Sequence, residues 1–341
     1  MESQGRTGCC QQDDGCRQAL SNLLHPKVGF LRGAVNGDLK AKFMDFEQFV
    51  LANESAIRLG FFLAVFAVIA SWELLAPRRA LTVSKSLRWA SNIGLVVLNT
   101  VVLRLLFPLA GAGMALFCAE QGWGLLNHFR VPMLIAIPLA VVAMDFVIWL
   151  QHVMLHAVPA LWRLHRVHHA DLDYDVTTGA RFHPIEIILS MLIKFATIVV
   201  LGTPVVAVVI FEVTLNATAM FNHSNIRLPA ALDRVLRWVL VTPDMHRVHH
   251  SIEDDETNSN FGFNLTWWDR LLGTYREQPR AGQVGMTIGI RDHRNPQEVA
   301  RLEGMLLLPF RGEIKNYAIN RRSFVDPPRE EWHQFYTAPW I

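Results

Sequence analysis

"IEIILSMLIKFATIVVLGTPVVAVVIFEVTLNATAMF", residues 185–221, is too apolar for a soluble segment and too long for one membrane span. About 20 residues cross a hydrocarbon core. Leu201, Gly202, Thr203 and Pro204 fall near the middle of the run, where glycine and proline punctuate helices. The run reads as a helical hairpin, about 16 residues in one direction, a turn, and about 17 back. A hairpin returns the chain to the face it left, so the segments on either side of it share one end of the molecule.

Those flanking segments carry the chemistry. "HRVHH" stands at 165–169, before the hairpin, and the same five letters return at 246–250, after it. "HVMLH" lies just upstream at 152–156. Eight of the 14 histidines fall in these three boxes. Positions i, i+3 and i+4 share one face of a helix, so each box points two or three imidazoles at one place. Neutral imidazole is the commonest protein metal ligand and suits zinc, iron, copper and nickel. Eight ligands exceed the four of one tetrahedral ion and suit two ions with positions left open. The boxes read as a metal centre in His152, His156, His165, His168, His169, His246, His249 and His250.

His223, at the returning end of the hairpin, and His183, just before it, are further candidate ligands. His25, His128, His293 and His333 stand alone and read as surface residues. Acids inside apolar runs are functional suspects. Asp145 lies two turns before His152 on the same face, placed to accept the second ring N–H of a ligand. Glu186 is close to His183, and Glu212 lies eleven residues before His223. Asp171, Asp173 and Asp175 after one box, and Glu253, Asp254, Asp255 and Glu256 after the other, read mostly as solvated loop charges.

Upstream lie three further apolar runs, 56–76, 90–117 (broken by Pro108) and 131–150. With 51% hydrophobic and 18% charged residues, the chain reads as an all-α integral membrane protein. Four to five transmembrane or hairpin helices would carry a histidine-rich cap. The loop 77–89 holds Arg78, Arg79, Lys85 and Arg88 and no acid, which marks its side as cytoplasmic. Two crossings later the chain reaches His152 on that same side. The N-terminus is then outside, against which stand six Lys/Arg within residues 1–55.

The organisation expected is a polar tail at 1–50, transmembrane helices at 51–130, a catalytic domain at 131–276 and a soluble extension at 277–341. The tail, polar and acid-bearing at its start, does not read as a cleavable signal. Net charge is +2 with no continuous basic stripe, which gives nucleic-acid binding little support. Cys9, Cys10, Cys16 and Cys118 form neither a disulfide framework nor a cysteine-rich zinc module. HExxH, G-x-S-x-G, P-loop and G-x-G-x-x-G motifs are missing.

In combination the boxes resemble the fatty acid hydroxylase superfamily, also called the sterol desaturase family. Its HxxxH, HxxHH and HxxHH boxes match 152–156, 165–169 and 246–250. Asp145 and Trp149 match an acid and an aromatic ahead of its first box. Arg181, His183 and Glu186 match an R-x-H-P-x-E element; "NHSN" at 222–225 and "WDRLLGTY" at 268–275 match two more. Val153 departs from the arginine common after the first histidine. The likeness covers about 140–276.

The resemblance implies a non-haem di-iron centre that uses O2 and two electrons to hydroxylate or desaturate a lipid, whether sterol, fatty acyl or ether lipid. Zinc is an artefactual replacement to expect on overexpression. It gives Asp145 and Glu186 a role in orienting or balancing the metals. No histidine-proline-glycine-glycine motif of cytochrome b5 is present, so electrons are expected from a separate cytochrome b5- or ferredoxin-like donor. The rival reading is a metal- or haem-binding membrane transporter or electron carrier without oxygenase activity.

Overall fold

The computed structural model describes residues 26–312, with side chains from residue 45 onward. Residues up to Asn53 and those from Glu54 onward form separate compact units, and the site lies in the second. His25, His333 and residues 1–25 of the tail expected at 1–50 lie outside the described residues.

The described chain is helical, without a strand. Helix α1 (Pro26–Leu75) is followed by α2 (Lys85–Leu106), α3 (Ala110–Gln121), α4 (Met133–Ala157), α5 (Pro159–His169), α6 (Pro184–Leu201), α7 (Val205–Asn222) and α8 (Pro243–His249), with short helical turns between and after them. The described part of the expected polar tail, from Pro26, is therefore helical and continuous with the first apolar run.

Proline sets the helix starts. Pro159, Pro184 and Pro243 occupy first-turn positions, where the absent N–H is no loss and φ is already helical. Pro132 and Pro204 stand just ahead of α4 and α7. Pro108 works the other way: α2 ends before it, because the residue preceding a proline is pushed out of the helical region. The span expected at 90–117 is thus two helices end to end.

The hairpin is confirmed. α6 and α7 are 18 residues each, about 27 Å at 1.5 Å per residue, which is close to the hydrocarbon thickness. Gly202 ends α6 in the left-handed conformation, φ +67°. A Cβ there would meet Trp123 O at 2.5 Å and Asn127 Nδ2 at 2.7 Å, so the turn has room only for glycine.

Five stretches are long and apolar enough to cross a membrane: Asp45–Leu75, Lys85–His128, Met133–Ala157, Pro184–Leu201 and Val205–Asn222. Many apolar side chains of the first four point outward, with Leu105 77% exposed and Leu134 69%, whereas Val205–Asn222 is largely buried among the others. Such a surface suits lipid as solvent, and the chain is a multi-pass membrane protein.

The histidine boxes lie together at one end, and the basic loop 77–89 lies with them. Arg78 pairs with Asp244 at 3.2 Å, two residues before His246. Thr82 N donates to Asp173 at 2.9 Å. The even number of crossings inferred for the chain is what the fold contains.

Beneath the first HRVHH box, Arg88 of α2 is fully buried between Asp171 (2.7 Å) and Asp175. Burial alone would push the Asp171 carboxyl up, but Arg88 and Arg181 outweigh it and hold the carboxyl at about 2. These two acids are buried ion-pair partners, and Asp173 is buried and accepts from Thr82 N and Val83 N; none is the solvated loop charge expected. Glu256 is buried too and accepts from Arg280 N at 2.7 Å, whereas Asp254 is exposed as expected.

The stretch after residue 277, expected as a soluble extension, packs on the cap as far as it is described. Val299, Met305 and Leu308 close a core with Leu95, Val167 and Ala170.

Candidate metal centre

Four helices deliver nine imidazoles. The last two turns of α4 carry His152 and His156, α5 carries His165, His168 and His169, and α8 carries His246 and His249 with His250 as its C-cap. His223 is the C-cap of α7, the returning arm of the hairpin. All nine are buried.

They divide into two groups. His152, His156, His165, His169 and His249 bring one nitrogen each to within 4.8 Å of one another, and so do His168, His223, His246 and His250. The expectation that each box aims at one place is corrected. The i and i+4 members of the first HRVHH box join the five-membered group, and its i+3 member joins the four-membered group. The second box does the reverse. Successive residues of a helix point about 100° apart, so the i+3 and i+4 imidazoles straddle the shared face and a box wedged between two points serves both.

The spacing is that of metal ligands. His152 Nε2 stands 3.0 Å from the Nε2 of His165 and of His249; His156 Nε2 is 3.1 Å from His169 Nε2. In the second group His223 Nε2 is 3.1 Å from the Nε2 of His168 and of His246. Two nitrogens bound at about 2.1 Å to one ion, roughly 90° apart, are about 3 Å from each other. Nε2 contacts among neutral rings also make poor hydrogen bonds when the N–H sits on Nδ1. It does for several rings: Nδ1–H of His152 donates to Phe261 O (2.7 Å), of His249 to Ser259 O (2.7 Å) and of His223 to Ala219 O (2.8 Å). His165 Nδ1–H donates to Glu186 Oε1 at 2.7 Å, and His156 Nδ1 faces Asn258 Oδ1 at 3.3 Å. Such partners fix the tautomer and turn the Nε2 lone pair inward.

Burial holds His165 and His223 down to about 3, and holds His168, His169, His246, His249 and His250 well below the usual histidine value, each helped by its neighbouring rings. Both ring nitrogens of His250 are buried without a hydrogen-bond partner. Buried orphan nitrogens of this kind await an electrophile. The two groups therefore fit two metal ions bound by neutral imidazoles.

His183 is not among them. Its Nδ1 accepts from Ile185 N (3.2 Å), capping α6, and its Nε2 faces Leu306 O at 3.3 Å. Helix capping has taken the nitrogen a metal would need. Asp145 holds no imidazole; it accepts from Trp268 Nε1 at 2.8 Å. Glu186 serves His165 rather than the adjacent His183. Glu212 is remote from His223 and pairs with Lys194 of α6. His128 is exposed as expected, whereas His293 is buried.

The sequence reading missed Asp269. Fully buried, it accepts from Trp149 Nε1, Phe261 N, Gly262 N and Thr274 Oγ1. This locks the loop whose Phe261 carbonyl turns His152. The signal was present in "WDRLLGTY", matched as a motif without a role. Asn258 and Ser259 had no signal at all, since Ser259 acts through its backbone.

A cavity of about 280 Å³ begins at His152 and His165 and runs between α6 and α7 toward their far ends.

Comparison with known proteins agrees with this geometry. Residues 137–274 match the fatty acid hydroxylase family model. The segment contains all nine converging histidines. The chain is 29% identical over 185 residues to ornithine lipid hydroxylase OlsE of Rhizobium tropici, covering 53% of this chain and 54% of that one. It is 27% identical over 209 residues to alkylglycerol monooxygenase of Xenopus tropicalis, covering 58% and 43%. It is 26% identical over 134 residues to human cholesterol 25-hydroxylase, covering 39% and 47%. The chain thus spans about half the length of these relatives. No solved structure matches.

Proposed function

We propose that this chain is a membrane-bound di-iron oxygenase that oxidises an unactivated C–H bond of a lipid. The observation that carries the reading is the convergence of nine buried imidazoles into two groups at ligand spacing. The names of the relatives, all lipid hydroxylases or monooxygenases, support the substrate class and the reaction type.

His152, His156, His165, His169 and His249 would hold one ion; His168, His223, His246 and His250 would hold the other. When bound, a pair of iron ions supplies the redox chemistry by which O2 oxidises such a bond. The protein's part is to hold the rings. Glu186 fixes His165 and offsets positive charge that nine neutral ligands leave uncompensated. Asp269 fixes the loop that orients His152. The apolar spans keep water from the cavity and let a chain enter from the bilayer. Hydroxylation consumes O2, two electrons and two protons and releases water, so the reading includes a separate electron donor of the cytochrome b5 or ferredoxin type. The histidine end is read as cytoplasmic, since loop 77–89 lies there and carries basic residues without acids. The catalytic unit is taken as 131–276.

The test is lipid analysis of membranes with and without the protein under 18O2, alongside metal analysis of the purified chain. Two ions per chain and an 18O-labelled or desaturated lipid are expected. One ion or none per active chain, or an intense haem Soret band, overturns the reading. Tags in loop 77–89 and at residue 158 should both report the cytoplasm.

A further inference from the structure

The cavity ends on charge. At its far end Lys194 Nζ of α6 stands 2.6 Å from Glu212 Oε1 of α7. Arg58 Nη1 of α1 is 3.0 Å from Glu212 Oε2 and 2.9 Å from Glu54 Oε1. Glu212 is 2% exposed. Gly111 of α3 lies against the same carboxylate, where a Cβ would meet Oε1 at 3.0 Å, so any larger residue would crowd the group. Four helices thus accommodate a charged cluster inside apolar spans, where ionisable groups are costly and mark function.

With Glu54 counted, the formal charges balance. The hydrogen bonding does not. Glu212 Oε1 accepts from Lys194, whereas Oε2 is ion-paired with Arg58 but, among the described residues, has no hydrogen-bond partner. Among the described residues, Arg58 offers the single nitrogen Nη1 to both its carboxylates, and Lys194 has one contact. A guanidinium has five N–H donors and an ammonium three. Arg58, Lys194 and Glu212 all line the cavity, and the capacity left over among them is mainly donor capacity, set against the one acceptor Glu212 Oε2. A plain alkyl end would leave it unanswered in a low-dielectric site, at a cost.

We propose that this floor binds the oxygen-bearing polar group of an amphiphilic substrate, a carboxylate or an ester carbonyl, and thereby selects the carbon presented to the metal centre. The proposal rests on the lipid-oxidation reading above. Lys194 is eight residues along α6 from Glu186, the partner of His165. At 1.5 Å per residue that is about 12 Å, the reach of an extended chain of roughly ten carbons. The position oxidised is therefore counted from the polar end of the substrate, not from its methyl end.

One arm of the test needs no turnover. The full-length protein in nanodiscs is titrated with dodecanoic acid, its methyl ester and dodecane. The acid, the ester or both should bind at least about tenfold tighter than the alkane, the worth of one hydrogen bond to a charged group. The acid–ester comparison tells which oxygen group is the source. Lys194→Met and Arg58→Met should abolish the preference while dodecane still binds, and Lys194→Arg should retain it. Equal binding of all three probes to the wild-type protein overturns the proposal. So does a Lys194→Met protein that loses dodecane equally, the behaviour of a brace holding the helices. In the second arm, acids of increasing length are oxidised and the product position is mapped. A constant distance from the carboxyl supports the proposal; a constant distance from the methyl end overturns it. If oxygen-selective binding is found and oxidation never is, the catalytic reading fails and the binding site stands.

Discussion

The two copies of HRVHH are identical in letters and opposite in use. The first sends His165 and His169 to the five-membered group and His168 to the other; the second sends His246 and His250 to the four-membered group and His249 across. Their surroundings differ as well. Four of the five rings in the first group have a polar partner on Nδ1, from Phe261, Asn258, Glu186 or Ser259. In the second group His223 does, whereas the Nδ1 atoms of His168 and His250 have no hydrogen-bond partner among the described residues. Those rings are held by packing instead. Phe182 stacks on His168 with centroids 4.6 Å apart, and Tyr174 lies 5.1 Å from His250. A motif specifies ligands, then, and the neighbourhood decides how each is aimed.

The largest effects should come from removing ligands. His168→Ala and His249→Ala take one imidazole from different groups, and each should lower turnover more than 100-fold, beyond the 10–100-fold typical of a ligand's outer partner. The double variant should be scarcely worse than either, since residues acting as one unit lose most function at the first deletion. If either variant kept most of its activity, the boxes would serve separate purposes. Glu186→Leu, which strips His165 of its acceptor, should cost 10–100-fold in activity or iron affinity, and Glu186→Gln, which keeps an acceptor oxygen, less. Phe182→Leu keeps the bulk against His168 but not the stack and should cost under about tenfold. A larger loss for Phe182→Leu than for Glu186→Leu would reverse the contrast between the groups. His128→Ala, exposed and distant, should leave activity within about twofold of wild type, as surface changes usually do.

Much of this was legible beforehand because it is local. Proline, glycine and apolar length set the helix bounds, and i, i+3, i+4 spacing announced the ligands. What escaped was the pairing between distant segments. His183 sat in a family motif, yet its place one residue before Pro184 made it a helix cap. Asp145 had the spacing for an imidazole, but an indole from residue 268 reached it first. The acids after the first box looked solvated because Arg88 is 83 residues away from Asp171. One long-range pair could have been read. Lys194 and Glu212 stand nine residues before and nine after Thr203, so an antiparallel hairpin had to bring them to the same depth.

The backbone carbonyls of residues 308–312 are gripped by Arg163 and Arg166, on the same helix as the first HRVHH box. Met305 and Leu308 complete the core behind that box. On the ribosome this closure is made by a stretch that emerges after all nine converging histidines have been synthesised. The order of manufacture thus separates the making of the ligands from the making of the vessel. A chain that stops short of residue 299 would carry all nine imidazoles without the segment that closes over the first box.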